Sequence, residues 1–165
     1  MTPHIQSALW FAAGLAVAAI VLSVARSNPE TAAAPAAQRV VATTMRGAVG
    51  ANVVRVIDGD TFEADAQIWL GQSVDVRVRI AGLDAPELHA RCANEATKAE
   101  AARSYLAQRI ANGTVWLSDV RYDKYGGRVR ASVDDGSGNI AADMIAKGLA
   151  RPYHGERRRS WCTDA

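Results

Sequence analysis

Six residues, met in chain order, are of types that together could handle an anion and a cation: Asp58 and Asp60, then Arg79, then Asp84 and Glu87, then Arg128. The first two acids flank a glycine in Asp58-Gly59-Asp60, and the second two flank Ala85-Pro86. Four carboxylates brought together without compensation would repel one another and raise their own pKa values. A hard cation removes that problem, and calcium accepts carboxylate and backbone carbonyl oxygens in a flexible shell. Asp60, Asp84 and the carbonyl of Ala85 would supply half a shell, leaving the rest to water and a substrate phosphate. Arg79 and Arg128 carry planar guanidinium groups that bind two oxygens of a phosphodiester at once. Glu87 is suited to take a proton from an attacking water. Metal, cations and base are the parts of phosphoryl-transfer catalysis. Taken singly, each residue has an ordinary structural reading: Asp-Gly ends strands, and an arginine beside acids on a strand is commonly a surface ion pair. Their joint, ordered occurrence is what points to chemistry.

Those residues need elements to hold them. Val53–Ile57 is β-branched and reads as a strand, ended by the Asp-Gly-Asp turn. Thr61–Trp69 is a second strand. Residues 74–80 alternate strictly, placing Val74, Val76, Val78 and Ile80 inward and Asp75, Arg77 and Arg79 on the other face. Residues 94–111 are helical in composition, with Asn112-Gly113 as the stop. Strands follow at 114–120 and 128–133, around a turn at Asp123–Gly127. Asn139 can cap a last helix running to Lys147, with Gly148 as its stop. Five short strands with one helix inserted and one appended predict a β-rich α+β domain built on a small barrel.

The series VIDGDT, VRIAGLDAPE, DKYGGR and MIAKGLAR resembles the staphylococcal nuclease (thermonuclease) family over about residues 51–155. The resemblance implies a five-stranded OB-fold barrel with packed helices, and calcium-dependent hydrolysis of phosphodiester bonds in DNA and RNA. It implies that Asp60, Asp84 and the Ala85 carbonyl bind calcium, with Asp58 behind them. Arg79 and Arg128 would grip the phosphate and Glu87 act as general base. Lys124 and Tyr125 would contact the neighbouring phosphate or base, and Tyr153 or His154 would lie where the family stacks bases. Two departures stand out. Tyr-Gly-Gly-Arg replaces the frequent Tyr-Gly-Arg, which bears on the reach of Arg128, and the loop from Glu87 to the helix is short.

Charge narrows the partners. The chain of 165 residues has a formal net charge of +2, and Arg26, Glu30, Arg39 and Arg46 account for that excess before residue 49. The remainder is balanced, so the domain is no generic polycation holding nucleic acid by bulk attraction. The Arg157-Arg158-Arg159 run reads as a solvated tail. His4 and His89 lack the partner spacing of a transition-metal site. No internal repeat or protein partner is indicated, and a monomer is expected.

Residues 8–25 form an uncharged, mostly apolar stretch long enough to cross a bilayer. Residues 1–25 therefore read as a membrane anchor or a signal segment, with Ser23-Val24-Ala25 resembling a cleavage site. Residues 26–48, rich in Ala, Pro, Thr and Ser, read as a flexible linker to a domain at 49–165. No Lys or Arg precedes the apolar run, and three arginines follow it, which favours an inside C-terminus. The two cysteines, Cys92 and Cys162, argue the other way. A bridge between them would tie the Arg-rich tail to the barrel, and disulfides persist outside the cytosol. The expectation is a domain in the periplasm or extracellular space, membrane-anchored, or secreted if the segment is cleaved. Two other functions compete with the nuclease: an OB barrel that binds single strands or a protein without cutting, and a membrane-tethered scaffold. The intact set Arg79, Glu87 and Arg128 favours the enzyme.

Overall fold

The computed structural model describes residues 43–111 and 113–162. The expected anchor or signal segment at 1–25 lies outside the described residues, as do the linker up to residue 42 and Asn112. The elements in chain order are β1 (Thr44–Met45), β2 (Val49–Val56), β3 (Thr61–Trp69), β4 (Gln72–Ile80), β5 (Leu83–Asp84), α1 (Ala93–Arg109), β6 (Thr114–Tyr122), β7 (Arg128–Asp134), α2 (Ile140–Ala146) and β8 (Arg151–Pro152). The main sheet runs β1-β6-β2-β3-β4-β7, and pairing of β6 with β7 closes it. The result is a five-stranded mixed barrel with two helices, consistent with the expected OB architecture. Among the described residues only the β4–β7 pairing is parallel; it sets Arg77 beside Arg128 and Ile80 beside Ala131.

Alternation along the strands fills the barrel. Phe62, Val78, Ile80, Val115, Leu117 and Val133 are fully buried, and Leu106 of α1 and Met144 of α2 join them. The inward expectation for residues 74–80 holds for Val78 and Ile80, but Val74 is exposed and Val76 only half-buried. The reason is position: residues 67–75, around the β3–β4 turn, are exposed throughout, so alternation there has no core to face. Thr44 and Met45, expected within the linker, instead pair with Arg121 and Val120.

Two details of α1 matter for the site. Cys92 caps its N-terminus, with Sγ accepting from the Glu95 amide at 3.4 Å. The small residues Ala99 and Ala102 on its buried face let the Asp-Gly-Asp turn come close. A Cβ at Gly59 would lie 2.9 Å from the Cβ of Ala102 and 2.9 Å from that of Ala85. Gly59 is therefore required by proximity, and it packs the first acidic turn against both the helix and the second.

Candidate active site

The turn joining β2 to β3 is held by its own backbone. The amides of Ile57 and Asp58 donate to the Thr61 carbonyl at 2.9 and 3.2 Å, and the Asp60 amide donates to Asp58 Oδ1 at 3.0 Å. The Ile80 amide donates to the Asp60 carbonyl at 2.8 Å, which fixes the turn beside the end of β4. That register brings Arg79 onto Asp60. Its two terminal nitrogens reach Oδ1 at 2.9 Å and Oδ2 at 2.7 Å, a fork-to-fork pair, and the Thr61 hydroxyl donates to Oδ1 at 2.7 Å. Asp60 is nearly sealed from solvent. Burial pushes its carboxyl up to about 7, with Asp58 adding to the rise and Arg79 opposing it.

After β4 the chain turns at Gly82, whose φ of 86° suits glycine. The short strand β5 then pairs with β8, Asp84 opposite Arg151. Asp84 and Ala85 are buried, and Glu87 keeps half its side chain in solvent. Arg128 opens β7, where its Nε bonds Asp123 and its guanidinium lies 4.7 Å above the Tyr125 ring. Burial works against the Asp123 charge. Bonds from the Lys124 amide and Arg128 outweigh it and hold the carboxyl below its usual value.

A cavity of about 410 Å³ has among its lining residues Asp58, Arg77, Arg79, Glu87, Tyr125, Arg128 and Arg158. Despite the additional glycine, Arg128 therefore faces the same space as Arg79 and Glu87. A neighbouring cavity of about 300 Å³ shares Arg79, Arg128 and Arg158, and adds Tyr122, Lys124 and Tyr153. Asp58, Arg79, Glu87, Lys124, Tyr125, Arg128 and Tyr153 thus line adjoining cavities, and Asp60 is tied to them through Arg79.

Arg158 was expected in a solvated tail, and the structure corrects that. It bonds Asp84 through Nε and Glu87 through Nη1. Its Nη2 lies 3.4 Å from the Ala85 carbonyl and 3.8 Å from Asp60 Oδ2. Burial disfavours the charge, but the hydrogen bond to Asp84 and the fields of Asp84 and Glu87 prevail, so the guanidinium pKa is raised. Arg157 and Arg159 are exposed, as expected.

The tail is placed by its own anchors. Cys92 and Cys162 form a disulfide, with Cα atoms 5.9 Å apart. Trp161 is buried, donates to Asp84 Oδ2 at 3.3 Å, and carries the Arg151 guanidinium 3.7 Å over its ring. Arg151 also donates to the Ser160 carbonyl at 3.1 Å. The sequence held a signal for this. Glu87 stands five residues before Cys92 and Arg158 four before Cys162, so the bridge lays the two segments side by side. Tyr122, exposed beside Tyr125 and Tyr153, was likewise not singled out, since strand aromatics rarely announce which face they take.

With this geometry in place, residues 77–163 match the family described as staphylococcal nuclease homologue. The chain belongs to that family. It is also 33% identical over 130 residues to protein ParB of Escherichia coli, covering 74% of this chain and 67% of that protein. The staphylococcal nuclease homologues are a nuclease-type family, and the barrel, the acidic turns and the paired arginines are arranged accordingly.

The donor set fits a hard cation. Asp60 Oδ2, a carboxylate oxygen of Asp84, the Ala85 carbonyl and Glu87 all converge on one cationic group, the Arg158 guanidinium. Hard oxygens of this kind suit calcium or magnesium, and no thiolate or imidazole competes among them.

Proposed function

We propose that the domain is a calcium-dependent nuclease that hydrolyses phosphodiester bonds of DNA, RNA or both. The observation that carries this reading is the shared cavity of Arg79, Glu87 and Arg128 above the converging oxygens of Asp60, Asp84 and Ala85. Asp60, Asp84 and the Ala85 carbonyl would hold the calcium ion, and Asp58 would fix Asp60 through its amide. When bound, calcium supplies positive charge against the phosphate oxygens. Arg79 and Arg128 donate to the non-bridging oxygens and oppose the charge that grows on them as water attacks phosphorus. Glu87, half exposed at the cavity wall, takes the proton of that water. Lys124 neutralises the adjoining phosphate, and Tyr125 and Tyr153 offer faces to the bases.

The Cys92–Cys162 disulfide supports a domain that works on the oxidising side of a membrane. With the apolar run at 8–25, this favours an anchored or secreted nuclease. Incubation of the purified protein with single-stranded DNA, in calcium and then in excess chelator, tests the enzymatic reading. Cleavage only with calcium is expected. Binding without cleavage in either condition would leave a non-catalytic OB module instead.

A further inference from the structure

The cation site of this protein has an internal claimant. Asp84 lies under the Arg158 guanidinium, Glu87 is bonded to it, and the Ala85 carbonyl and Asp60 are the next oxygens it meets. Three of these, from Asp84, Ala85 and Asp60, are the oxygens that calcium would take. A guanidinium and a metal ion cannot share three oxygens of one cradle, because both need the same lone pairs and two positive charges at contact distance repel strongly in a partly buried site. We propose that Arg158 is a built-in competitor for the cation site, so that this arginine and calcium exclude each other. The inference rests on the reading of Asp60, Asp84 and Ala85 as metal ligands.

Three features make Arg158 a held competitor. Two residues on, Ser160 is bonded by Arg151; three on, Trp161 is buried against Asp84; four on, Cys162 is bridged to the residue that caps α1. The backbone around Arg158 is thus pinned within a few residues, which raises the local concentration of its side chain over the acids. The side chain itself remains about one-third exposed and lines both cavities described above. It therefore has space to swing aside without disturbing the core. Once displaced, it faces the cavity in which a substrate phosphate would lie. A polyanion would then draw the arginine off the acids while its own oxygens complete the metal shell. Calcium and substrate should consequently bind with strong mutual assistance, since each removes a part of the same obstruction.

Calorimetric titration of calcium into the full-length protein tests this without measuring activity. Apparent affinity falls by the fraction of molecules whose site is open. If about one in ten is open, Arg158→Ala tightens calcium binding about tenfold. Arg159→Ala removes the same charge from the same tail but makes no contact with the acids, and should change affinity little. Disulfide reduction by a dithiol, which gives up two electrons and two protons to yield two cysteine thiols and an oxidised dithiol, loosens the tail. It should tighten calcium binding in the wild type but not in Arg158→Ala. Unchanged or weaker binding in Arg158→Ala, or equal gains in Arg158→Ala and Arg159→Ala, overturns the competitor. A wild type that binds equally well oxidised and reduced overturns the part given to the bridge. Asp84→Asn separates the underlying reading. Calcium binding that survives this change, or no binding by any of these proteins, defeats the assignment of the ligands as well as the inference built on it.

Discussion

The two ends of α1 each gather acids around an arginine, and the ends differ in what is left over. At the C-terminal end, Arg109 reaches Asp135 at 2.5 Å and Asp143 at 3.4 Å, Lys147 lies 4.0 Å from Asp143, and Tyr105 bonds Asp143. Two acids face two cations there, and Asp135 is buried under its partner. Near the N-terminal end, Arg79 holds Asp60, Arg158 holds Asp84 and Glu87, and Arg151 lies opposite Asp84, while Arg128 is matched by Asp123. The first cluster is neutral and closed. The second opens on a cavity and holds one of its cations, Arg158, on a tail rather than in the barrel. A buried ion pair marks structure; oxygens gathered beside an accessible cavity are what the proposed cation site requires.

This contrast can be broken at either end. The largest loss of stability is expected from Arg109→Ala. It strands Asp135, whose side chain is 2% exposed, and leaving a buried charge unpaired costs about 3–5 kcal/mol. Thermal unfolding should shift accordingly, while turnover per folded molecule stays as in the wild type. Glu87→Gln should do the reverse. Its side chain is half exposed, so unfolding changes little, but turnover should drop by about 10²–10³, the size typical of one lost catalytic group. A Glu87→Gln protein that melts early and cuts normally would merge the two ends into one structural class.

A third expectation concerns pH in the absence of metal. Asp60 is raised by burial to about 7, so the folded protein holds this proton more tightly than the unfolded chain. Such a group stabilises the fold below its unfolded pKa, and the benefit is lost as pH rises towards 7. In chelator, the wild type should therefore lose stability relative to Asp60→Asn between about pH 4, the unfolded carboxylate value, and neutrality. Melting curves of the two proteins across that interval provide the check, and parallel pH profiles would remove Asp60 as the cause. The smallest effect belongs to a third ion cluster, Arg55 and Arg77 on Glu63, which lies exposed on the barrel wall. Exposed pairs of this kind are weak, and Glu63→Gln should leave melting unchanged.

Much of the working end was legible in the sequence because its residues sit at fixed places in local motifs. Asp58 and Asp60 belong to one hairpin turn, around a glycine that close packing requires, and Arg79 lies near the end of a strand of clear alternation. Asp84, Ala85 and Glu87 lie in a single short turn. The helix bounds were close for the same reason: Asn139 accepts from the Ala142 amide at 3.0 Å, and Gly148 takes φ of 70°. What the sequence did not disclose depends on long-range placement. Strict alternation at Val74 suggested burial, but no local rule says that the hairpin outruns the core. Thr44 and Met45 look like linker and become strand only because β6 offers them an edge. Arg158 reads as one of three equivalent tail arginines. Its distinction comes from a bridge 70 residues long in sequence and from a buried tryptophan.

The most direct measurement compares hydrolysis of a single-stranded oligonucleotide by the wild type and Arg79→Lys, each in calcium and in excess chelator. Arg79 joins the buried Asp60 to the cavity, and a lysine keeps the charge while giving up both the two-pronged grip on Asp60 and the planar fork proposed to meet phosphate. The account predicts calcium-dependent cleavage by the wild type, abolished by chelator, and a much lower rate for a folded Arg79→Lys at saturating calcium. Cleavage that persists in chelator, or a wild-type rate from Arg79→Lys, would contradict it.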